Sequence, residues 1–532
     1  MFRKNPTVNA GFPQRNTISP NCLGLLRVAS QLAAGLLLSA IAVAEISPPT
    51  TQLLPVDTGT GEADRDVPFL AWHRNVADYG YVELEYQISG LANTYQYADN
   101  ASESPMVEPA TTGNPYTSRM LVRHPADPAD FNGVVIFEVL NATANYDGAP
   151  HWDLTWRTII DDGAAWVGVT YSDTSATFMR DIWGTDASPA PAGSQPRDNS
   201  RYANLSIPSR ALTWDILTQA AAALRGTAAP SNPMAGYDIQ AVIMVGYSQS
   251  AGFVNTYGNS FYPQNLEGSG EELVNGFIVA AGGANARTLD GTGGLRPIDD
   301  ARNKERAAAK SIRFTTESDI KSARARQTMS EKPNLRTYEV AGATHVDYHL
   351  EVEGGHVSRY QFGVGGDGST GCDLPLNRAR TGVALGAVQH RLGQWIINDV
   401  LPPGDFFIET TGSIPDNAYD WARDADGHVI GGVRLPKVEV PLGIYSSENL
   451  YTGPLDTNDQ RLLTIFCGGI LGSFDAFDDA ELSERYSSSR DYLVRFWWNL
   501  WLLYIDGFVL PADGRVLMDE ARGVVIPAAP AP

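Results

Sequence analysis

The stretch Ala241-Val-Ile-Met-Val-Gly-Tyr-Ser-Gln-Ser-Ala-Gly252 decides the fold, because an apolar, β-branched run leads directly into a tight turn and a helix-compatible segment. This order of strand, sharp turn and helix is the context in which a serine hydroxyl is presented for nucleophilic attack. Such a turn requires small residues two before and two after the serine. Gly246 meets the first requirement, and Ser250 replaces the usual glycine at the second. The pattern predicts Ser248 as a nucleophile, and the alternative is a surface serine in an ordinary turn.

Two further strand-like segments are each followed by a polar residue suited to activating that serine. Residues 311–316 lead into Asp319, and residues 336–340 lead into His345. Open α/β sheets place their chemistry beyond the carboxyl ends of the strands. The order Ser248, Asp319, His345 is that of the α/β-hydrolases and differs from that of chymotrypsin or subtilisin. The three residues are therefore predicted to form a catalytic triad.

Two alternatives to this assignment come from neighbouring residues. Glu317 stands two residues before Asp319, and Asp319 is preferred because it falls beyond the strand, in the loop. His345 is favoured over the other histidines by its glycine-containing turn. His349 lies four residues further on and could share a helical face with His345, which would permit a metal pair. No His-Glu-x-x-His motif accompanies them, so no metal site is predicted.

Acyl transfer also requires donors for the developing oxyanion. The backbone N–H of Gln249, at the start of a helix, is predicted to be one of them. The second is expected from Asn141 or Ala142, in the loop after the strand of residues 134–140. The sequence there is Asn-Ala-Thr-Ala where a glycine-rich run is usual, but a backbone donor needs no particular side chain.

The chain resembles a known family in residues 131–141, 166–169, 246–252 and 340–347. These segments are similar to those of a bacterial group called the alpha/beta hydrolase domain family, with its Gly-x-Ser-Gln-Ser-Ala-Gly elbow and Val-Ala-Gly-x-x-His-x-Asp loop. The resemblance runs from about Phe69 to the C terminus. It implies the α/β-hydrolase fold and serine hydrolase chemistry, with esterase as the usual assumption, and supplies no substrate.

Composition agrees with a large soluble enzyme. The 532 residues are 43% hydrophobic and 19% charged, which allows a substantial core and exceeds a minimal hydrolase domain. The formal net charge is −22, and removal of the four basic residues within positions 1–44 would leave −26. Such a charge disfavours nucleic acids and anionic membrane surfaces as partners, so no nucleic acid partner is expected, whereas neutral and cationic substrates stay open.

The N terminus has the pattern of a signal peptide. Basic residues precede an apolar stretch at 32–43, and Ala42-Val-Ala44 before Glu45 has the small-x-small pattern of a cleavage site. The stretch is short for a membrane span, so residues 1–44 are predicted to be removed, leaving a periplasmic or secreted protein without a stable membrane anchor. Cys372 and Cys467 would then be the two remaining cysteines. They either pair in the oxidising compartment or stay separate as buried thiols.

Alternating segments before residue 123 and alternating strands and helices after residue 134 predict an α/β fold. The expected architecture is a mostly parallel central sheet with antiparallel N-terminal strands, helices on both faces, insertions and a C-terminal extension. The catalytic domain would span residues 45–401. Its insertion at 172–206 is either a lid or pocket wall, or an exposed segment with no role. Residues 353–373 are interpreted as an irregular loop.

The extension, residues 402–532, is expected to form a hairpin around Asp426-Gly427 and helices packed on the core. Residues 424–427 are similar to part of a calcium loop, but Leu435 stands where the bidentate glutamate is required, so calcium is not predicted. The aromatic-rich residues 492–505 are expected to form a helix on the core, with an interfacial or hydrophobic-substrate role as the alternative.

These observations predict a serine hydrolase that cleaves a small-molecule or polymeric carboxylic ester without a cofactor. The same machinery would serve an amidase, a lactonase or an extracellular polyester depolymerase. A secreted binding protein that keeps the fold without turnover is the alternative from a different class.

Overall fold

The computed structural model describes residues 49–54, 68–98, 107–183, 199–226, 232–262, 272–282, 286–292, 294, 302, 309–321, 332–362, 370–413 and 418–528. The predicted signal peptide and residues 184–198 of the predicted insertion lie outside these ranges. No helix in the described ranges is long and apolar enough to cross a membrane.

A ten-stranded sheet, in the order β1-β2-β3-β5-β4-β6-β7-β8-β9-β12, forms the centre of the described molecule. Its strands are β1 (Thr50–Leu54), β2 (Tyr81–Tyr97), β3 (Val107–Pro125), β4 (Val134–Val139), β5 (Ala165–Val169), β6 (Ala241–Tyr247), β7 (Gly276–Ala280), β8 (Lys310–Thr316), β9 (Leu335–Ala341) and β12 (Val433–Arg434).

The sheet has an antiparallel part and a parallel part. Strands β1, β2, β3 and β5 pair antiparallel, and the strands from β5 to β12 pair parallel. Every residue of β4, β5, β6 and β7 is buried, as expected for parallel strands covered on both faces, which need continuous apolar runs. The predicted fold class is confirmed.

The helices follow the strands in the order of an α/β fold. They are α1 (Pro150–Asp162), α2 (Asp173–Thr177), α3 (Thr213–Arg225), α4 (Gln249–Ser260), α5 (Tyr348–Phe362) and α6 (Thr381–Asn398). The connection from β4 to β5 moves one way along the sheet, and that from β5 to β6 moves the other way. Right-handed crossovers therefore place α1 and α3 on opposite faces, and strand order reverses at β4. Ligand sites of such sheets lie beyond the strand ends at this reversal.

Helix α5 corrects the interpretation of residues 353–373 as an irregular loop, because the helix continues to Phe362. The carboxylate of Asp347 accepts hydrogen bonds from the N–H groups of His349 and Leu350 and so caps the first turn. The helix also packs against α1. Capping and packing outweigh the cost of Gly354 and Gly355, about 1 kcal/mol each within a helix.

The described parts of the insertion are packed on the core. Helix α2 continues as a π-helical turn, Phe178–Ile182, and the rings of Phe178 and Trp183 lie 5.7 and 5.0 Å from that of Phe69. Arg201 forms an ion pair of 2.5 Å with the buried Glu85. These contacts hold the described parts of the insertion against Phe69 and Glu85.

The C-terminal region, residues 402–528, contributes to the central sheet as well as packing against it. Strands β10 (Thr410–Ser413) and β11 (Ala418–Trp421) form a hairpin, and the backbone also turns at Asp424, whose carbonyl accepts a hydrogen bond from Gly427. Strand β12 then pairs parallel to β9. The sequence analysis did not predict this strand, because two residues are too few to show a periodic pattern.

The remaining elements of this region are β13 (Gly443–Ser446), β14 (Ser473–Ala476), α7 (Pro436–Glu439), α8 (Asn458–Gly469), α9 (Asp479–Arg485), α10 (Ser489–Asp506) and α11 (Pro511–Arg522). Helix α10 contains the aromatic-rich segment. It buries Tyr492, Phe496, Leu500 and Leu503, and it leaves other apolar side chains exposed, including Trp497, Trp498 and Trp501.

Candidate active site

Ser248 stands in the turn between β6 and α4 with φ 61° and ψ −121°. Such a backbone conformation is costly for a residue other than glycine and persists only where the surroundings enforce it. Gly246 is one of the residues that permit the turn, since a Cβ there would lie 2.6 Å from the carbonyl oxygen of Ser250. The serine hydroxyl is thereby held beyond the end of the parallel sheet.

Ser250 has a part in this turn that the sequence analysis did not predict. Its hydroxyl donates to the carbonyl oxygen of Tyr247 at 3.0 Å and accepts from the N–H of Tyr247 at 3.0 Å. A glycine at this position would satisfy the steric requirement but would leave both bonds unmade. The sequence signals only a small residue here, and the hydroxyl gains its role from the folded turn.

The structure brings Ser248, His345 and Asp319 into one hydrogen-bonded chain. His345 Nε2 lies 2.8 Å from Ser248 Oγ, and His345 Nδ1 lies 2.7 Å from Asp319 Oδ1. An ionised carboxylate only accepts hydrogen bonds, so the Nδ1 proton is assigned to this contact and Nε2 is free to accept the serine proton. The other oxygen, Asp319 Oδ2, accepts from the N–H of Thr316 at 2.9 Å and from its hydroxyl at 2.6 Å.

The backbone of His345 is fixed from two sides. Its N–H donates to the hydroxyl of Ser318 at 2.7 Å, and its carbonyl oxygen accepts from the hydroxyl of Tyr247 at 2.6 Å. Burial, together with the charges of Asp319 and Asp347, raises the pKa of Tyr247 well above its ordinary value. The phenol therefore stays protonated and keeps this hydrogen bond at all physiological pH values.

Glu317, the alternative acid, points away from His345. It is buried, its Oε2 accepts from the N–H of Gly342 at 2.9 Å, and its Oε1 accepts from the hydroxyl of Ser447 at 3.2 Å. His349 lies in α5, whereas His345 precedes that helix, so the two do not share a helical face. Burial and neighbouring positive charges lower the pKa of His349 to about 2.

The two proposed oxyanion donors after β4 differ in availability. The N–H of Asn141 donates to the carbonyl oxygen of Gly148 at 2.8 Å, so Asn141 does not fit the predicted role. The N–H of Ala142 donates to the side-chain oxygen Oε1 of Gln249 at 3.0 Å and lies beside the turn. The side-chain amide of Asn141 donates to the carbonyl oxygen of Tyr247 at 3.0 Å and ties the loop to the turn. The N–H of Gln249 is one of the first amides of α4, which have no intrahelical acceptor.

A cavity of about 380 Å³ opens at Ser248 and His345. Its wall is formed by the loop after β4, the start of α1, one side of α5 and residues near Phe69. The titratable groups on the wall, besides His345 and tyrosines, are the carboxyls of Asp147, Asp153 and Glu351. No lysine or arginine stands among the described residues that line it.

A buried ion-pair network lies behind one side of this cavity. Arg119 is fully buried and donates to Glu85 at 2.5 Å and to Asp147 at 3.3 Å. The hydroxyl of Thr170 donates to the same Asp147 oxygen at 2.5 Å. The sequence gives no signal for this network, because its members come from different strands and loops.

A cluster of Asp424, Asp426 and His428 has its potential ligand atoms within 4.8 Å of one another. Asp424 is paired with Arg434 at 2.9 Å, and Asp426 with Arg485 at 2.5 Å. His428 Nε2 accepts from the N–H of Tyr445 at 2.9 Å, so the proton of the neutral ring is on Nδ1, the nitrogen near Asp424. Arginines already balance both carboxylates, and the donor set is a poor fit to a metal ion.

Cys372 and Cys467 form a disulfide with their Cα atoms 5.8 Å apart. The segment after Cys467 contacts the loop of His345, because the N–H of Val346 donates to the carbonyl oxygen of Ile470 at 2.9 Å. The disulfide therefore braces a segment that touches the site.

The model of the alpha/beta hydrolase domain family matches residues 52–519. The chain therefore belongs to this family, and the predicted resemblance is confirmed. Family and fold together support a hydrolase. No match is found among curated proteins.

Several solved structures are similar to this chain. The carboxylesterase Cest-2923 from Lactobacillus plantarum WCFS1 is 11% identical over 46% of this chain and 82% of its own, with a TM-score of 0.27. Fungal esterases from Rhizomucor miehei give 14% identity, 52% and 81% coverage, and a TM-score of 0.26. LpqC, a poly(3-hydroxybutyrate) depolymerase from Bordetella parapertussis, is 15% identical over 47% of this chain and 88% of its own, with a TM-score of 0.25.

Proposed function

We propose that this protein hydrolyses carboxylic esters through an acyl-enzyme intermediate. The observation that carries the proposal is the hydrogen-bonded chain from Asp319 through His345 to Ser248, with contacts of 2.7 and 2.8 Å. A serine hydroxyl alone is a weak nucleophile, and an adjacent base oriented by a third group is the arrangement that activates it.

His345 takes the proton of Ser248 as the hydroxyl oxygen attacks the ester carbonyl carbon. The resulting imidazolium is stabilised by Asp319 and then gives its proton to the departing alcohol. Water attacks the acyl-serine with His345 again as the base, which releases the acid and restores the hydroxyl. Asp319 keeps the ring in the required tautomer throughout, and its bonds to Thr316 hold the carboxylate in place.

The N–H groups of Gln249 and Ala142 are proposed to stabilise the oxyanion. The side-chain oxygen of Gln249 accepts the hydrogen bond of Ala142 in the free protein, so it occupies the place that the substrate oxygen would take. The side chain must turn away when substrate binds. This exchange replaces one acceptor by another and leaves no donor unsatisfied.

Labelling with a fluorophosphonate probe, followed by mapping of the modified peptide, tests this mechanism. We expect a single adduct on Ser248 and hydrolysis of short-chain p-nitrophenyl esters that the adduct abolishes. A panel of amides, lactones and polyester films of matched acyl groups measures the alternatives. A folded protein with no adduct and no turnover on the panel would instead support a binding protein on a hydrolase fold.

We further propose that the protein is exported and cleaved after Ala44, which is supported by the basic residues, apolar stretch and small-x-small pattern of residues 1–44. Intact-mass measurement of the periplasmic protein should give a chain that begins at Glu45. A mass that retains residues 1–44 would contradict cleavage.

A further inference from the structure

The wall of the cavity has an unusual balance of charge. Asp147, Asp153 and Glu351 place carboxyl groups on it, and the described lining residues include no basic side chain to pair with a carboxylate of the substrate. Asp147 is buried and bonded to Arg119 through Oδ2, while its Oδ1 has no hydrogen-bond partner among the described residues. The described lining therefore offers no cationic side chain to hold an anion and leaves the cavity suited to neutral or positively charged groups.

Asp153 differs from the other carboxyls because its side chain makes no hydrogen bond or ion pair with any described residue. It lies in the first turn of α1 and is half-buried, and it lines both the cavity at Ser248 and a smaller cavity whose lining includes Arg157 and Arg380. An ionised carboxylate that is largely removed from water and has no partner is costly, so natural structures seldom leave such a group unpaired.

Neighbouring groups add to this cost. The charges of Glu138 and Glu353 act against ionisation of Asp153, and those of Arg123 and Arg74 favour it. Arg74 is paired with Glu353 at 2.7 Å, and Nε of Arg123 is paired with a glutamate of β2 at 2.7 Å, while Nη1 of Arg123 has no hydrogen-bond partner among the described residues. Burial and the neighbouring carboxylates together raise the pKa of Asp153 well above its ordinary value. A positively charged ligand would supply the missing counter-charge and favour the ionised form.

Two glycines leave the wall beside Asp153 without side chains. Gly354, in the middle of α5, lines the cavity, and a Cβ there would lie 3.1 Å from Asp153 Oδ2. Gly355 follows it on the same wall. Two successive glycines in a helix lower its stability, and here their lack of side chains keeps the cavity open at the carboxyl group. The aromatic ring of Tyr146 lines the same cavity, and aromatic faces attract ammonium groups.

We propose that the cavity wall centred on Asp153 is a binding subsite for an ammonium group, and that the substrate is an ester that carries a positively charged amine. This inference rests on the proposed esterase function and names its substrate class. The carboxyl of Asp153 would pair with the cation while the ester carbonyl lies at Ser248.

Two pairs of esters of equal shape test the proposal. Acetylcholine and 3,3-dimethylbutyl acetate differ by a positive charge on the alcohol side, and the p-nitrophenyl esters of 4-(trimethylammonio)butanoate and 5,5-dimethylhexanoate differ on the acyl side. We expect kcat/KM to be at least tenfold higher for the charged member of one pair, mainly through a lower KM. Ratios near one in both pairs would overturn the proposal.

Asp153→Asn should bring the ratio to within about threefold of one, because the amide keeps the shape and removes the charge. Asp519→Asn is the matched control, since it removes the same unit of charge from a carboxylate that is 70% exposed on α11, and it should leave the ratio unchanged. Gly354→Ala adds a methyl group against Asp153 without endangering the helix and should also reduce the ratio. Equal effects of Asp153→Asn and Asp519→Asn would show that only net charge matters and would contradict the subsite.

Binding measured without turnover separates this inference from the esterase function. Calorimetry on Ser248→Ala should detect choline and a much weaker response to 3,3-dimethyl-1-butanol, and the preference should disappear when Asp153→Asn is added. Choline binding without any ester hydrolysis by the unmodified protein would remove the proposed function and keep the subsite. Ser248-dependent hydrolysis with no choline preference in either assay would keep the proposed function and remove the subsite.

Discussion

The edge of the sheet that carries Ser248, Asp319 and His345 and the C-terminal region of residues 402–528 are built from different kinds of contact. At the edge, the three side chains bond to one another in one chain, and Tyr247 supports His345 across 98 residues. In the C-terminal region the contacts join distant segments outside that chain, such as Glu317 to Ser447. We therefore expect the edge to carry the proposed reaction and the C-terminal region to stabilise its position.

Glu317 and Asp319 lie two residues apart, yet one contacts the C-terminal region and the other contacts His345. Asp319 bonds to His345, whereas Glu317 bonds to Gly342 and to Ser447 of the C-terminal region. Substitutions at the edge should therefore reduce turnover with little loss of stability. Substitutions that remove a hydrogen bond or the disulfide of the C-terminal region should reduce stability with little loss of turnover per folded molecule.

The largest effect is expected from Ser248→Ala. Removal of the nucleophile should lower kcat for a p-nitrophenyl ester by at least about 10⁴-fold and abolish fluorophosphonate labelling. Circular dichroism and the thermal unfolding midpoint should stay close to those of the unmodified protein. Ser250→Ala, two residues away, keeps the nucleophile and should still be labelled. Full turnover by folded Ser248→Ala would assign the reaction to another residue.

Substituting each of the two carboxylates separately tests the comparison directly. Asp319→Asn should lower kcat by roughly 10³ to 10⁴-fold, because the amide no longer enforces the required tautomer of His345. Glu317→Gln should change kcat by less than about tenfold and should lower the free energy of unfolding. Steady-state kinetics and urea unfolding on both variants measure this. The opposite ranking in kcat would make Glu317 the acid of the triad.

The disulfide belongs to the C-terminal side of the comparison. Replacing Cys372 and Cys467 by serine should lower the free energy of unfolding by about 3 to 5 kcal/mol, because the bridge closes a loop with a sequence separation of 95 residues. Turnover per folded molecule should change by less than about threefold. Urea unfolding with and without dithiothreitol gives the same information on the unmodified chain. Two alkylatable thiols in the unreduced, denatured protein would contradict the bridge.

Asp513, in α11, gives a smaller effect that depends on pH. Burial and the nearby Asp161 raise its pKa to about 6. Because the folded-state pKa is raised, the stabilising contribution of the protonated group is complete below about pH 4 and is lost as the pH rises through 6. Asp513→Asn should therefore raise the free energy of unfolding by about 1 to 3 kcal/mol at pH 7.5 and change it little at pH 4. Urea unfolding at both pH values measures this difference. An equal effect at the two pH values would show that the carboxyl does not titrate in this range.

Local pattern was sufficient for the parallel strands from β4 to β9 and for the nucleophile turn. The apolar run before Gly246 predicts a buried strand wherever it packs, and the small residues around Ser248 are required by the turn itself. Helix α5 and strand β12 were not predicted for a different reason. The first depends on capping by Asp347 and on packing against α1, and the second is a two-residue pairing with β9.

The sequence by itself determined the fold class, the family and the positions of Ser248, Asp319 and His345, because strand ends and tight turns impose local requirements that can be seen in neighbouring residues. Only the tertiary structure decided that Ala142 and not Asn141 has its N–H beside the turn. It alone also shows that Glu317 is engaged elsewhere and that the Asp153 side chain has no hydrogen-bond or ion-pair partner among the described residues. Buried polar groups pair with residues that can be far apart in the chain, as Glu317 and Ser447 are. A local sequence pattern therefore does not show which groups will pair.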